Sequence, residues 1–225
     1  MDKFIDRHEA GVILAKYLKG YKNKPNVIIL ALPRGGVPIG YEIASALSVP
    51  LDIFIVRKLG LPGYEEIAMS AIASGSTVFF NEPLLNQFKL NRSQIQNVVE
   101  KEREELFRRE QLYRGSKPFP NLKDKIVILV DDGIATGSTM VAAIEALHSH
   151  KPQSIIVAVP VAAFSTCEEI APLVERIVCP LKPLNFYAVG LWYENFPQIS
   201  DDEVIDVLKK SHSNNSARQV NHDLF

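Results

Sequence analysis

The sequence of 225 residues is poor in cysteine, with two, and in tryptophan, with one, and its charges nearly cancel, at 25 Lys and Arg against 26 Asp and Glu. Cys167 and Cys179 do not form a Cys-x-x-Cys pair, so a disulfide scaffold and a cysteine-built zinc site are both disfavoured. A net charge of −1 gives no bulk attraction for a nucleic acid or an anionic membrane. These scarcities exclude several classes of protein and indicate no function.

Long apolar runs are also missing. None approaches the roughly 18 residues that a membrane span requires. The charged segment 1–7 also interrupts the apolar stretch that a signal peptide needs. We therefore expect a cytoplasmic protein with neither a membrane nor a nucleic acid as partner.

Apolar residues make up 47% of the chain and fall in short runs that alternate with helical patterns. Runs without polar alternation are typical of parallel strands that are buried on both faces. The alternation predicts one doubly wound α/β domain with a mostly parallel sheet over 1–211, followed by a flexible tail over 212–225. Strands are predicted at 27–32, 51–56, 125–130, 154–161, 176–179 and 186–191. Helices are predicted at 6–19, 38–47, 92–113, 139–148 and 202–210, and a loop with strand fragments at 59–80.

Two adjacent acids, Asp131 and Asp132, follow the third predicted strand and precede a run of small and hydroxyl-bearing residues. This run leads into a helix N-terminus, where free N–H groups and the helix dipole favour a phosphate. An acid pair beside a phosphate-binding loop suits a ligand with a diol and a phosphate, such as a ribose 5-phosphate. A capped strand-to-helix turn is the plain alternative, but it would require only one acid. The loop residues are Ala135, Thr136, Gly137, Ser138 and Thr139.

The stretch 127–139 resembles the phosphoribosyl pyrophosphate signature of type I phosphoribosyltransferases, with four apolar residues, two acids and a phosphate loop. The resemblance implies that Asp131 and Asp132 hold the ribose 2- and 3-hydroxyls, with Mg²⁺ near them through those hydroxyls or water. It implies that 135–139 wraps the 5-phosphate. Gly133 departs from the pattern, because the family usually has an apolar residue there.

Three cationic residues lie in two segments that the same resemblance covers. The segment Arg34-Gly35-Gly36 resembles the pyrophosphate loop, in which the backbone turns sharply, often through a cis peptide, and the arginine supplies charge. A plain turn is the alternative for so short a motif. Arg57 and Lys58 resemble strand-end residues of adenine-type enzymes, which implies contacts with pyrophosphate oxygens.

The resemblance also implies a flexible loop over 59–75 that closes on the site and excludes water. On this loop, Glu65 and Glu66 are candidates for proton transfer, with solvated carboxylates as the alternative. The predicted charged helical insert, 92–115, is interpreted as a solvated amphipathic helix. Its alternative is a dimer contact or a lid that brings an arginine to an anion, the candidates being Arg108, Arg109 and Arg114.

A small hood over 180–196 is implied to bind the base. Its candidates are Phe186, Tyr187 and Trp192, whose rings could stack on a purine, although Trp192 equally suits the core. Ala135 stands where oxopurine enzymes have a proton-accepting aspartate, and their base-reading lysine is missing from 154–162. Adenine-type enzymes have an alanine there, so the base stays open.

Taken whole, the chain resembles a bacterial group of phosphoribosyltransferases whose substrate is unassigned. We expect a Mg²⁺-dependent transferase of nucleotide metabolism that joins the phosphoribosyl group to a nitrogenous base and releases pyrophosphate. Arg34, Arg57 and Lys58 would stabilise the departing pyrophosphate. Two alternatives remain open: a non-catalytic sensor of phosphoribosyl pyrophosphate or a nucleotide, and a hydrolase or phosphorylase of ribose phosphates. A homodimer is a further open expectation.

Overall fold

A computed structural model describes residues 2–61, 64–75, 77–80, 82–88 and 92–222. The strands are β1 (Val27–Ala31), β2 (Leu51–Ile53), β3 (Val56–Leu61), β4 (Tyr64–Ala73), β5 (Thr77–Phe80), β6 (Ile126–Val130), β7 (Ser154–Ala158) and β8 (Arg176–Val178). The helices are α1 (Arg7–Tyr17), α2 (Gly36–Leu47), α3 (Glu82–Gln87), α4 (Arg92–Arg114), α5 (Ser138–Ser149), α6 (Phe164–Ile170) and α7 (Asp201–His222). Short 3₁₀ turns lie at Lys19–Tyr21, Ala171–Leu173 and Val189–Trp192.

Five parallel strands form the central sheet, in the order β2-β1-β6-β7-β8. All five residues of β1 are buried, and successive side chains pack into opposite layers of the core. Ile29 joins the layer of α1, α2 and α7, whereas Leu30 joins the layer of α5 and α6. This double covering confirms the predicted doubly wound, mostly parallel α/β fold.

The segment after β2 differs most from its prediction as a loop. β3, β4 and β5 form a second, three-stranded antiparallel sheet, whose β3–β4 pairing shifts register near Gly60. Apolar side chains on this sheet explain the pairing, because Leu59 and Ile72 are buried in the main core. The described part of 59–75 is mostly strand, more regular than the predicted loop with strand fragments, and its closure over the site stays a prediction.

Two further predictions need correction towards the C-terminus. The expected strand over 186–191 is wrong, because this segment is irregular and ends in the 3₁₀ turn Val189–Trp192. The expected tail over 212–225 is helical to His222, as a continuation of α7. Residues 223–225 lie outside the described part.

The predicted charged insert forms the helix α4. Val99, Leu106 and Tyr113 repeat at intervals of seven residues and are buried against the core, so the helix packs on the domain along one stripe. Among the described residues, no helix is both long and apolar enough to cross a membrane.

Candidate active site

The polar segments predicted to act together meet where the direction of winding of the sheet reverses. β1 and β6 are neighbours in register, with Ala31 opposite Val130, so both end at the same edge. The chain then leaves β1 into α2 on one face and β6 into α5 on the other. The crevice at such a switch point is the usual ligand site of open α/β sheets.

Two glycines let the loop after β1 touch the acid pair after β6. A Cβ on Gly35 would lie 1.9 Å from Oδ2 of Asp132, and one on Gly36 would lie 2.6 Å from the carbonyl oxygen of Val130. Neither site has room for a side chain, although Gly35 has ordinary helical dihedral angles. The Pro33–Arg34 peptide bond is cis.

The two acids are partly buried and close enough to influence each other. The backbone N–H of Asp132 donates a hydrogen bond of 2.9 Å to Oδ1 of Asp131. Burial, together with the neighbouring charge of Asp132, raises the pKa of Asp131 well above its usual range. Burial also raises the pKa of Asp132, and the guanidinium of Arg7 opposes that rise. The pair thus occupies a shielded position in which burial disfavours the ionised form of both carboxyl groups.

Residues far apart in the chain surround Asp132, and the sequence reasoning missed them. Arg7 donates to Oδ2 of Asp132 through Nε at 3.0 Å and Nη2 at 2.8 Å. The hydroxyl of Tyr193 donates to the backbone oxygen of Asp132 at 2.6 Å. An arginine at a helix start and a tyrosine in an aromatic segment carry no motif, so no sequence signal could have assigned them to the site.

The predicted phosphate loop lies between β6 and α5. Gly137 has a φ of 76° and is the N-cap residue of α5. Because glycine has no side chain, it does not cap the N–H groups in the first turn of that helix. Thr166 on α6 donates to the carbonyl oxygen of Ala135 at 2.9 Å and holds the loop from behind. A cavity of about 190 Å³ opens here, lined by Asp131, Gly133, Ile134, Ala135, Thr136, Gly137, Thr139, Met140 and Val189. Its size and its position at the uncapped N-terminus of α5 suit a phosphate group.

Lys58 and Arg57 reach different places. Nζ of Lys58 donates to Oγ of Ser138 at 2.8 Å, beside the start of α5. Arg57 is paired with Glu102 on α4. Neighbouring side chains on a strand point to opposite faces, so the expectation that both cations reach one pyrophosphate is not supported by their placement. The structure joins Lys58 to the phosphate loop and Arg57 to the helical insert.

Arg34 stands at the rim of the site with its side chain about two-fifths exposed. Its Nη1 lies 3.6 Å from Oδ1 of Asp201, the first residue of α7. The same carboxylate accepts a hydrogen bond from the hydroxyl of Tyr113. Burial and this bond raise the pKa of Tyr113 to about 12. Arg34 is thus held next to the crevice by an ion pair that is long and open to solvent.

The aromatic candidates for the base do not line the cavity. Phe186 and Trp192 stack on each other, with ring centroids 6.3 Å apart, and pack against the core. Tyr187 is 85% exposed. Instead, Val189 reaches the acid loop, because the missing Cβ of Gly133 would lie 2.5 Å from its Cγ1. The unusual Gly133 therefore has a packing reason.

The remaining candidates lie elsewhere or outside the described side chains. The side chains of Glu65 and Glu66 are outside the described part. Arg108 and Arg109 both bond to Glu105 on the surface of α4. The side chain of Arg114 is 4% exposed and bonds to three partners, namely Asp52, Glu110 and the carbonyl oxygen of Ile53. The alternative interpretation, in which one of these arginines reaches an anion in the site, is not supported by their placement.

The acid pair also bears on a metal ion. Among the described residues, no group of three or more His, Cys, Asp or Glu side chains is placed to hold one. Mg²⁺ is commonly bound through one or two carboxylates together with waters and the phosphates of a substrate. Asp131 and Asp132 fit an ion that arrives with a phosphorylated ligand better than a resident structural metal.

Comparison with known proteins agrees with this arrangement. A model of the family "Phosphoribosyl transferase domain" matches residues 7–181. A Mycobacterium tuberculosis H37Rv protein named "Putative phosphoribosyl transferase Rv0571c" is 38% identical over 212 residues. That match covers 94% of this chain and 48% of the relative, so the chain spans about half the length of the curated relatives it matches.

Solved structures share the fold. The crystal structure of TT1426 from Thermus thermophilus is 34% identical, with a TM-score of 0.83, and the match covers 92% of this chain and 98% of that one. The AQ2163 protein from Aquifex aeolicus, at 13% identity and a TM-score of 0.51, covers 90% of this chain and 83% of its own, and shows likeness of fold alone.

Proposed function

This chain belongs to the family of phosphoribosyl transferase domains, and from that membership we propose that it transfers the phosphoribosyl group of phosphoribosyl pyrophosphate to a nitrogenous base. The observation that carries the proposal is the meeting of the acid pair, the phosphate loop and the Arg34 loop at one sheet edge. Each segment suits a different part of that one ligand.

The ribose and its 5-phosphate would occupy the side of the site formed by β6 and α5. Asp131 and Asp132 would accept hydrogen bonds from the 2- and 3-hydroxyls. The phosphate would receive N–H donors from 135–139 at the positive end of α5. Lys58, beside Ser138, would add a positive charge to the phosphate. These contacts fix the sugar with C1 towards the crevice.

Pyrophosphate would leave on the side formed by β1 and α2. Cleavage of the C1–oxygen bond leaves positive character on the ribose ring and adds negative charge to the departing pyrophosphate. Arg34 and the backbone of Gly35 and Gly36 would stabilise that negative charge, a preorganised electrostatic effect that commonly accounts for 10²–10³ in rate by order of magnitude. Mg²⁺, held through the acid pair and ligand oxygens, would supply further charge neutralisation when bound.

The acceptor would approach C1 on the side of Val189. The nitrogen of the base forms the new bond to C1 as the bond to pyrophosphate breaks, and the base then loses its proton to solvent water. The exposed Ala135 provides no proton acceptor at the position where oxopurine enzymes have an aspartate. This favours an acceptor that is read by shape and backbone contacts over one that requires a carboxylate there.

The test is pyrophosphate release with Mg²⁺ and a panel of purine and pyrimidine bases. We expect release that depends on both phosphoribosyl pyrophosphate and one base, and a fall of at least about a hundredfold in Asp131→Asn/Asp132→Asn. Arg103→Met, at an exposed pair with Glu100, is the matched control. Unchanged release in the double variant would show that the site is elsewhere.

A sensor that binds phosphoribosyl pyrophosphate or a nucleotide without turnover is the second candidate. The pairing of Arg57 with Glu102 and of Arg34 with Asp201 favours it, because two of the three cations expected at the pyrophosphate have acidic partners. Saturable binding of phosphoribosyl pyrophosphate, without pyrophosphate release for any base, would support the sensor. The formation of free ribose 5-phosphate or ribose 1-phosphate would instead indicate a hydrolase or phosphorylase.

A further inference from the structure

Arg7 is a buried arginine that lies directly behind the acid pair. It is the first residue of α1, just after Asp6, whose side chain caps the helix by accepting from the N–H of Glu9 at 2.9 Å. The cap fixes where the helix starts, and Arg7 is 7% exposed. Burying a guanidinium group destabilises the folded state unless well-placed partners accept hydrogen bonds from its N–H groups.

Every nitrogen of the Arg7 guanidinium has a partner. Nε and Nη2 both donate to Oδ2 of Asp132, and Nη1 donates to the carbonyl oxygen of Pro197 at 2.7 Å. The guanidinium carbon lies 3.8 Å from the centre of the Phe196 ring, which supports it from one side. The planar group is therefore held in one orientation by three bonds and a ring.

The two carboxylate oxygens of Asp132 have different surroundings. Both bonds from Arg7 end on Oδ2, and the backbone of Gly35 closes on the same oxygen, since a Cβ there would lie 1.9 Å away. Oδ1 of Asp132 receives neither of these bonds from Arg7 and lies farther from Gly35, at 3.1 Å from the position of that Cβ. The hydroxyl of Tyr193 anchors the backbone of the same residue. One oxygen is thus locked, and the other is left as an acceptor.

We propose that Arg7 is a positioning residue for ribose recognition: it locks Oδ2 of Asp132 so that Oδ1 faces a sugar hydroxyl. This role rests on the proposed function of the site. It goes beyond stability, because a purely structural strap between α1 and the segment 193–197 would not need to place both donors on one oxygen of the acid pair. Arg7 itself touches no ligand in this role.

The test compares two ligands that differ in their ring hydroxyls. Ribose 5-phosphate carries the 2- and 3-hydroxyls and the anomeric hydroxyl, whereas tetrahydrofurfuryl phosphate has the ring and phosphate without any of them. We expect the wild-type protein to prefer ribose 5-phosphate by about tenfold in calorimetric dissociation constants, as one hydrogen bond to a charged group would give. Arg7→Met should reduce the preference to about threefold or less, with the affinity for tetrahydrofurfuryl phosphate kept within about threefold of wild type.

Two variants make the result decisive. Arg103→Met removes an exposed arginine far from the acid pair in sequence and should keep the full preference. Arg7→Lys retains the charge but has one nitrogen in place of three for the two acceptor atoms, so it should fold and show an intermediate preference. If Arg7→Met does not unfold cooperatively, the preference between the two ligands is measured on Arg7→Lys instead.

The outcomes separate the possible roles. A full wild-type preference in both Arg7 variants, or an equal loss of affinity for both ligands, would overturn the positioning role. Failure of the wild-type protein to bind ribose 5-phosphate at all would refute the proposed function and this role with it. Loss of preference with phosphate binding retained is the result expected from the structure.

Discussion

Adding a single methyl group at Gly35 is expected to disrupt the acid pair without straining the backbone. The dihedral angles of Gly35, φ −61° and ψ −34°, are ones that alanine adopts readily. The added Cβ would lie 1.9 Å from Oδ2 and 2.5 Å from Cγ of Asp132. The carboxylate must therefore turn away, and its two bonds from Arg7 are lost.

The size of the effect follows from those two bonds. Each is charge-assisted and partly buried, so together they contribute at least about 3 kcal/mol. Replacing glycine by alanine restricts the unfolded chain and returns up to about 1 kcal/mol. The net loss is about 2 kcal/mol, which corresponds to a melting temperature about 4–8 °C lower for a domain of this size. Affinity for ribose 5-phosphate should fall in the same variant.

Thermal unfolding followed by circular dichroism measures the first effect, and calorimetry with ribose 5-phosphate measures the second. Gly20→Ala is the matched control, because a Cβ on Gly20 would meet no atom within 4 Å. It should melt at or slightly above the wild-type temperature. If Gly35→Ala melted like Gly20→Ala and kept its affinity, the close approach of the two loops would not be essential for stability or binding.

Three further changes test other parts of the structure. Lys58→Met should weaken ribose 5-phosphate binding about tenfold, the loss of one charge-assisted bond, whereas Arg57→Met on the opposite strand face should leave the dissociation constant unchanged. Arg114→Met removes a buried cation with three partners and should lower the free energy of unfolding by about 3 kcal/mol in denaturant titrations, while Arg103→Met, at a surface pair, should cost less than about 0.5 kcal/mol. Burial lowers the pKa of His150, so the unfolded chain takes up its proton more readily, and stability should fall as the pH drops below about 6.5. In melts at a series of pH values below about 6.5, the melting temperature of His150→Gln should fall less steeply with pH than that of the wild type. Identical slopes would contradict the contribution of His150 to the pH dependence of stability.

Much of the fold could be predicted because the signal is local. The all-apolar strand at 27–31 and the heptad spacing of Val99, Leu106 and Tyr113 indicate their own burial. For the segment after β2 the sequence predicts only a loop with strand fragments, because its glycines and a proline resemble turn residues. The pairing of these strands into an antiparallel sheet depends on their packing against the core. The incorrect strand at 186–191 has the opposite cause: Phe186 and Tyr187 favour strands, but here Phe186 stacks on Trp192, just beyond the segment.

The order of residues along the chain determined the acid pair, the phosphate loop and the glycines that let them meet, because each is a contiguous motif at a strand exit. Only the tertiary structure decided which distant side chains contact those motifs. Arg7 lies 125 residues from Asp132, and its role depends on how α1 packs against the acid loop and the segment around Pro197. Likewise, Arg57 and Lys58 are neighbours in sequence, but the alternation of a strand sends one to Glu102 and the other to Ser138. Which cation faces the ligand depends on which face of the strand meets α5, and that is a property of the packed domain.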